Sequence, residues 1–349
     1  MACATLPASA QGVYVQHNLT SDIAGLADKT DAKLVNAWGI DRSATSPWWI
    51  NANGSGFSLV YDATGAAAPA ASPLAVPVPV PPTQTGTSTP TGIVFNGTQD
   101  FAIAAGKPAS FIFATEDGTI SGWNSGVNSG QAVLEVNQAG TSVYKGIALG
   151  QIGGKNVLYA ANFRQARVDV FDASFAKMLL AAGAFQDSNI PVGYAPFNVA
   201  VLNGFVYVAF AQQDAQQHDN VAGHGLGYVD KFSADGTLVT RFEHGPWMNA
   251  PWGIALAPTN FGELSSRILV ANFGSGQIAA FEATSGQFVG MMRGKRKAIT
   301  IDGLWGLRFG NDAAAGPSNV LFFTAGIQDE DHGLFGTLSV LPPATTGSN

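Results

Sequence analysis

An all-β fold, a six-bladed β-propeller of four-stranded blades, follows from three features of this 349-residue sequence. One inner-strand motif recurs six times, the copies are almost evenly spaced, and each is followed by further strand-like runs. The motif copies are Ala37-Trp38-Gly39-Ile40, Pro90-Thr91-Gly92-Ile93, Tyr144-Lys145-Gly146-Ile147, Pro196-Phe197-Asn198-Val199, Pro251-Trp252-Gly253-Ile254 and Leu304-Trp305-Gly306-Leu307. Counting on the residue before Gly or Asn, the positions 38, 91, 145, 197, 252 and 305 are separated by 53, 54, 52, 55 and 53 residues. Glycine in the innermost strand suits a crowded axis where backbones approach closely.

A second apolar run follows each motif and ends on a small or polar residue, as in Trp49-Ile50-Asn51-Ala52-Asn53 and Ile268-Leu269-Val270-Ala271-Asn272. Such runs fit strands packed on both faces by neighbouring blades. A third run alternates polar and apolar residues, as in Arg167-Val168-Asp169-Val170-Phe171. A fourth, weaker run closes most units, for example Leu238-Val239-Thr240-Arg241-Phe242. The last unit has only three clear strands. The strand-like Gly12-Val13-Tyr14-Val15-Gln16-His17 is therefore predicted to supply its outer strand, which removes an exposed edge. The Pro-rich stretch 68–90 predicts an edge strand and a long loop, and 175–182 is the best helical candidate, in competition with an edge strand.

The expected organisation is a disordered N-terminal remnant over 1–11, a propeller over 12–341 and a disordered tail over 342–349. Charged residues are 12% and hydrophobic ones 46%, which excludes a disordered chain. The formal charge is −7, and the only basic cluster is Arg293-Gly294-Lys295-Arg296-Lys297, so no nucleic-acid partner is expected. No stretch is long enough for a membrane span. The lone Cys3 permits no internal disulfide. Ala8-Ser9-Ala10 before Gln11 has the form of a signal cleavage site. A monomer in a secreted or periplasmic setting is expected.

The chain resembles an uncharacterised family of exported bacterial proteins, NHL-like six-bladed propellers, some of which carry a Pro-Glu-Pro C-terminal sorting tail. The resemblance spans about 18–336. It rests on runs such as Leu34-Val35-Asn36-Ala37-Trp38-Gly39-Ile40, Ala114-Thr115-Glu116-Asp117-Gly118-Thr119-Ile120-Ser121-Gly122-Trp123-Asn124, Ala161-Asn162-Phe163-Arg164 and His332-Gly333-Leu334-Phe335-Gly336. It implies export and the propeller fold, and no activity. This sequence has the polar run 345–349 where such a tail would stand.

Blade geometry places the entry to each inner strand, and the connection between strands two and three, at one mouth of the axial channel. Three groups of residues there carry candidate chemistry. Trp38, Thr91, Lys145, Phe197, Trp252 and Trp305 would form the rim, an apolar funnel with one cation, suited either to a small molecule or to filling the core. Asn53, Asn162 and Asn272 end the second strands of blades one, three and five. They would converge on the axis as hard ligands for Ca²⁺ or another divalent metal, helped by Glu116 or Asp117, or else cap turns. Six-bladed lactonase-type hydrolases place calcium in this region, an analogy of fold alone. Finally, two loops over 212–225 and 328–333 carry His218, His224, His332 and Asp214 as candidate catalytic groups, through a metal or as acid–base pairs. Solvated turns are the alternative. No phosphate-binding loop, dinucleotide fingerprint or nucleophile elbow occurs, so no nucleotide cofactor is expected. The function expected is an exported propeller that binds a small molecule or protein at this mouth, with a metal-dependent hydrolase or lyase as the alternative.

Overall fold

The computed structural model describes residues 13–341, so the expected terminal segments 1–11 and 342–349, Cys3 and the cleavage-site motif lie outside the described residues. Six sheets are arranged as the blades of a propeller. Blade 1 runs Ala37–Asp41, Trp48–Ala52, Phe57–Tyr61, Ala75–Pro77 from the axis outward. Blades 2, 4 and 5 repeat this meander, starting from Pro90–Phe95, Tyr194–Leu202 and Pro251–Leu256. Blade 3 has three regular strands, Tyr144–Ile152, Lys155–Asn162 and Arg167–Phe171. Its outer position is taken by 177–178, through a Phe171–Lys177 bridge and a 2.7 Å bond from the Met178 amide to the Val170 carbonyl. The edge strand thus prevails over the helix at 175–182.

The N-terminal strand Tyr14–Ser21 pairs antiparallel with His332–Val340, Tyr14 opposite Val340, and completes blade 6. This joins the two ends of the chain across the ring and leaves no open blade.

The repeated motif marks a bulge. Register shifts occur between Ala37 and Ile40, Tyr144 and Ile147, Pro251 and Ile254, and Leu304 and Leu307. The bulged glycine abuts the next blade's backbone. A Cβ at Gly39 would land on the Thr91 carbonyl, at Gly253 on that of Trp305, and at Gly92 2.8 Å from that of Lys145. Blade 4 carries Asn198 instead, and its amide donates to the Trp252 carbonyl at 2.7 Å. The glycine spacing visible in the sequence is therefore the spacing of blade-to-blade backbone contact. Between blades the second strands supply much of the apolar core, for example Leu269, Ala271, Leu321 and Phe323, each essentially inaccessible to solvent. Each such Leu or Phe contributes about 1.5–3 kcal/mol by burial.

Candidate functional site

The predicted rim is a plug rather than a funnel. Trp38, Phe197, Trp252 and Trp305 are all buried, at most 5% exposed, and form one cluster with Phe163 and Phe273. Trp305 is sandwiched between Trp38 and Phe273, both ring centroids 3.9 Å away. Phe163 and Phe273 explain why the three expected amide ligands part company. Successive strand residues face opposite ways, so where the Phe enters the plug, the preceding Asn points into its own blade. Asn162 donates to Asp169 Oδ2 at 2.8 Å and to Ser142 at 3.0 Å. Asn272 accepts the Asn249 amide at 2.8 Å. Gly54 follows Asn53, within the short 3-10 turn Asn53–Ser55, and Asn53 alone of the three joins the mouth cluster.

Above the plug lies a connected polar arc drawn from five blades. Lys145, 1% exposed, ion-pairs with Glu116 and lies 3.2 Å from Asp219 Oδ1. His218 Nδ1 lies 3.0 Å from the same Asp219 oxygen. On the other side Asn53 donates to Glu116 Oε2 at 2.9 Å, Asn36 to Asn53 Oδ1 at 3.4 Å, and Asn36 to Glu330 Oε2 at 2.6 Å. Trp305 Nε1 donates to Asn36 Oδ1 at 3.1 Å and ties the arc to the plug. The order is therefore His218, Asp219, Lys145, Glu116, Asn53, Asn36, Glu330.

Electrostatics follows from burial and this wiring. Burial opposes the charge on Lys145, but Glu116 and Asp219 outweigh it and hold its pKa above the ordinary value. The Lys145 ammonium also faces the rings of Trp38, Phe163 and Phe197, 5.1, 5.7 and 5.9 Å from their centroids. A hydrogen bond from His218 and the charge of Lys145 hold Asp219 well below the usual carboxylate range against its burial. The Asp219 bond in turn raises His218. Burial, with the charges of Glu116 and Asp219, pushes Glu330 up to about 7, against the pull of Asn36 and Lys145. Glu330 sits on a strained turn: Gln328, Asp329 and Glu330 have φ of 54°, 56° and 69°. Left-handed backbone is unfavourable at non-glycine residues, and such strain concentrates at functional sites.

The remaining candidates sit apart from this arc. Asp214 accepts the backbone amides of His218 and Asp219 at 2.8 and 3.2 Å, so it shapes their loop. His224 is exposed and 3.4 Å from the Pro246 carbonyl. His332 Nδ1 lies 2.6 Å from Asp22 Oδ2. The three histidines thus have three different partners. Thr91 bonds the Tyr144 carbonyl at 2.9 Å and stitches blade 2 to blade 3. Asp219 and Glu330 lie in the loops flagged by the sequence, but nothing in the residue pattern distinguishes them from their neighbours, and Asn36 and Asp22 carry no motif of their own.

The buried aromatic plug lies directly against Lys145 of the arc. A cavity of about 120 Å³ opens farther along the axis, lined by Gly39, Asp41, Asn198 and Arg308 among others. It holds room for a few water molecules and no convergent titratable set beyond the Asp41–Arg308 pair, 3.0 Å apart. The site is therefore assigned to the connected arc.

No family model matches the chain. The "Uncharacterized protein R648" of Acanthamoeba polyphaga mimivirus is 32% identical over 331 residues, 92% of this chain and 78% of that protein. The chain belongs to this family. A second mimivirus protein, "Uncharacterized protein L690", is 29% identical over 95% of this chain and 87% of its own length. These relatives are viral, which does not fit the bacterial family of the sequence resemblance. Among solved structures, virginiamycin B lyase from Staphylococcus aureus superposes with a TM-score of 0.54 at 10% identity, over 94% of this chain and 99% of that one. At that identity the likeness is one of fold. No helix among the described residues is long and apolar enough to cross a membrane.

Glu116, His218 and Asp219 each offer a ligand atom within 4.8 Å of the others, a spacing a metal could bridge. The Lys145 ammonium, however, already engages both carboxylates. The donor set as it stands is matched to an ammonium, not to a metal ion. The four-residue metal set expected from the sequence keeps only Glu116 and Asn53 together.

Proposed function

We propose that this propeller binds a small organic molecule at the loop-rich mouth and acts on it by metal-free proton transfer. One observation carries the reading: titratable side chains from separate blades join in one connected chain, from buried Lys145 and Glu116 to Glu330, which is held over the mouth by a strained turn. Desolvating ionisable groups costs free energy even when they are paired, and clusters of this kind with perturbed pKa values recur at functional sites. Glu330, titrating near neutral pH, is suited to give or take a proton, while Lys145 stays charged and would stabilise developing negative charge. His218 and Asp219, 38% and 64% exposed at the side chain, are the groups an incoming ligand would meet. The fold neighbour virginiamycin B lyase bears the name of a lyase, and a lyase or hydrolase step is compatible with such a pair of groups, by analogy only.

A thermal-shift screen of small organic acids, amines and esters tests this. Ligands should stabilise the wild type, lose their effect on Glu330→Gln and His218→Ala, and include compounds whose turnover, followed by NMR, vanishes in Glu330→Gln. Hits that act equally on both variants would put binding elsewhere. Hits lost in the variants but never turned over would reduce the protein to a binding module.

A further inference from the structure

The mouth holds three donors suited to a divalent cation, and against two of them a cation that belongs to the chain itself. Glu116, His218 and Asp219 have the mutual spacing of a metal triad. Lys145 Nζ contacts the two carboxylates from below, with its side chain 1% exposed. We infer that the Lys145 ammonium is a built-in substitute for a divalent ion, and that Glu116, His218 and Asp219 form a latent metal site that opens when the amine is removed. The class of ion is set by the donors: one imidazole nitrogen and two carboxylates suit Zn²⁺ or Mn²⁺ better than Ca²⁺.

Three features separate an ammonium site from an ordinary metal site. First, a divalent ion and Lys145 would compete for the same carboxylate oxygens, Glu116 Oε1 and Asp219 Oδ1, and repel each other at that range. Second, the floor consists of aromatic faces, those of Trp38, Phe163 and Phe197. These favour a monovalent organic cation and offer no further ligand atom to a metal. Third, Lys145 occupies the repeat position held by Trp38, Trp252 and Trp305 in three other blades. A cationic side chain has been placed at one point of an otherwise largely aromatic ring, beneath two acids from other blades. The inference stands on this geometry and does not depend on the proton-transfer reading.

Metal analysis of the purified full chain after dialysis against Zn²⁺, Mn²⁺ and Ca²⁺ tests it, with and without chelator. The wild type should retain no stoichiometric ion, and chelator should leave its Tm unchanged. Lys145→Met should retain Zn²⁺ or Mn²⁺ stoichiometrically, with a Tm above that of its own chelator-treated form, and the double variant Lys145→Met/His218→Ala should lose that gain. Lys145→Gln, which keeps a donor toward Glu116, covers the case in which Lys145→Met folds only with metal, itself a supporting result. A wild type that holds an ion whose removal lowers Tm overturns the inference, as does a folded Lys145→Met and Lys145→Gln pair that binds no ion.

Discussion

Half-buried Glu330 at the mouth and buried Asp230 in blade 4 are two acids whose pKa values are both pushed up to about 7, yet their surroundings differ in kind. Asp230 lies on the third strand of its blade beside Asp187, whose charge adds to the effect of burial. Burial works against Asp187 as well, but Arg241, 2.5 and 2.8 Å from its two oxygens, holds it below the usual range. One oxygen of Asp230 has no hydrogen-bond partner. The pair is local: two acids and one half-exposed arginine. Glu330 instead terminates a chain of amides and charges that crosses five blades and rests on the aromatic plug. A raised pKa is thus common to both, and only the wiring separates a candidate site from a fragment of scaffold.

The largest test of that difference is Lys145→Ala. It leaves Glu116, 9% exposed at its side chain, buried without its counter-charge. Breaking a buried pair in this way should cost about 3–5 kcal/mol in urea unfolding. Arg241→Ala should cost clearly less, because its side chain is 48% exposed and the two acids beside it can share a proton. Equal losses would erase the distinction between the two clusters.

Asp230→Asn should act in the opposite direction. The folded state binds this proton more tightly than the unfolded state, in which the group has its ordinary value of 3.8. Its contribution is therefore fully present below that value and lost as pH rises toward about 7. The amide removes the penalty, so the variant should be stabler than wild type by about 2 kcal/mol at pH 8. It should differ little from wild type at pH 4. Denaturant midpoints at the two pH values read this directly, and an unchanged midpoint at pH 8 would mean that Asp230 carries no buried charge there.

How much of this was legible in the sequence depended on repetition. The glycine ring and the N-terminal closure could be read because six copies vary around one contact, and Gly39, Gly92 and Gly253 each abut the next blade. Lys145 stood out as the single cation among the residues before the glycine. The facing of Asn162 and Asn272 was not legible. It is decided by Phe163 and Phe273 entering the plug, and by Asp169, whose Oδ1 lies 2.7 Å from both Arg167 and Lys177 and whose Oδ2 accepts from Asn162, drawing it outward. Glu330 was the least visible. In composition its loop is a solvated acidic turn, and what marks it is three consecutive left-handed residues, a property of backbone that no side-chain pattern records.

Glu330→Gln carries the smallest expected effect on stability and the sharpest on function. Its pKa shift has the same sign as that of Asp230, from 4.5 to about 7, so the amide variant should again gain stability above neutral pH and not below pH 4.5. The gain should be only about 1 kcal/mol, because Glu330 is partly exposed and Gln accepts the Asn36 bond more weakly than a carboxylate does. Ligand response at the mouth should nevertheless disappear, whereas Asp230→Asn should leave it intact. Asp230 carries the same kind of stability cost, so the cost alone does not separate the two acids, and the ligand response is the measurement that does. If Glu330→Gln left ligand response untouched while gaining stability, Glu330 would join Asp230 as scaffold, and the site would contract to Lys145, Glu116, Asp219 and His218.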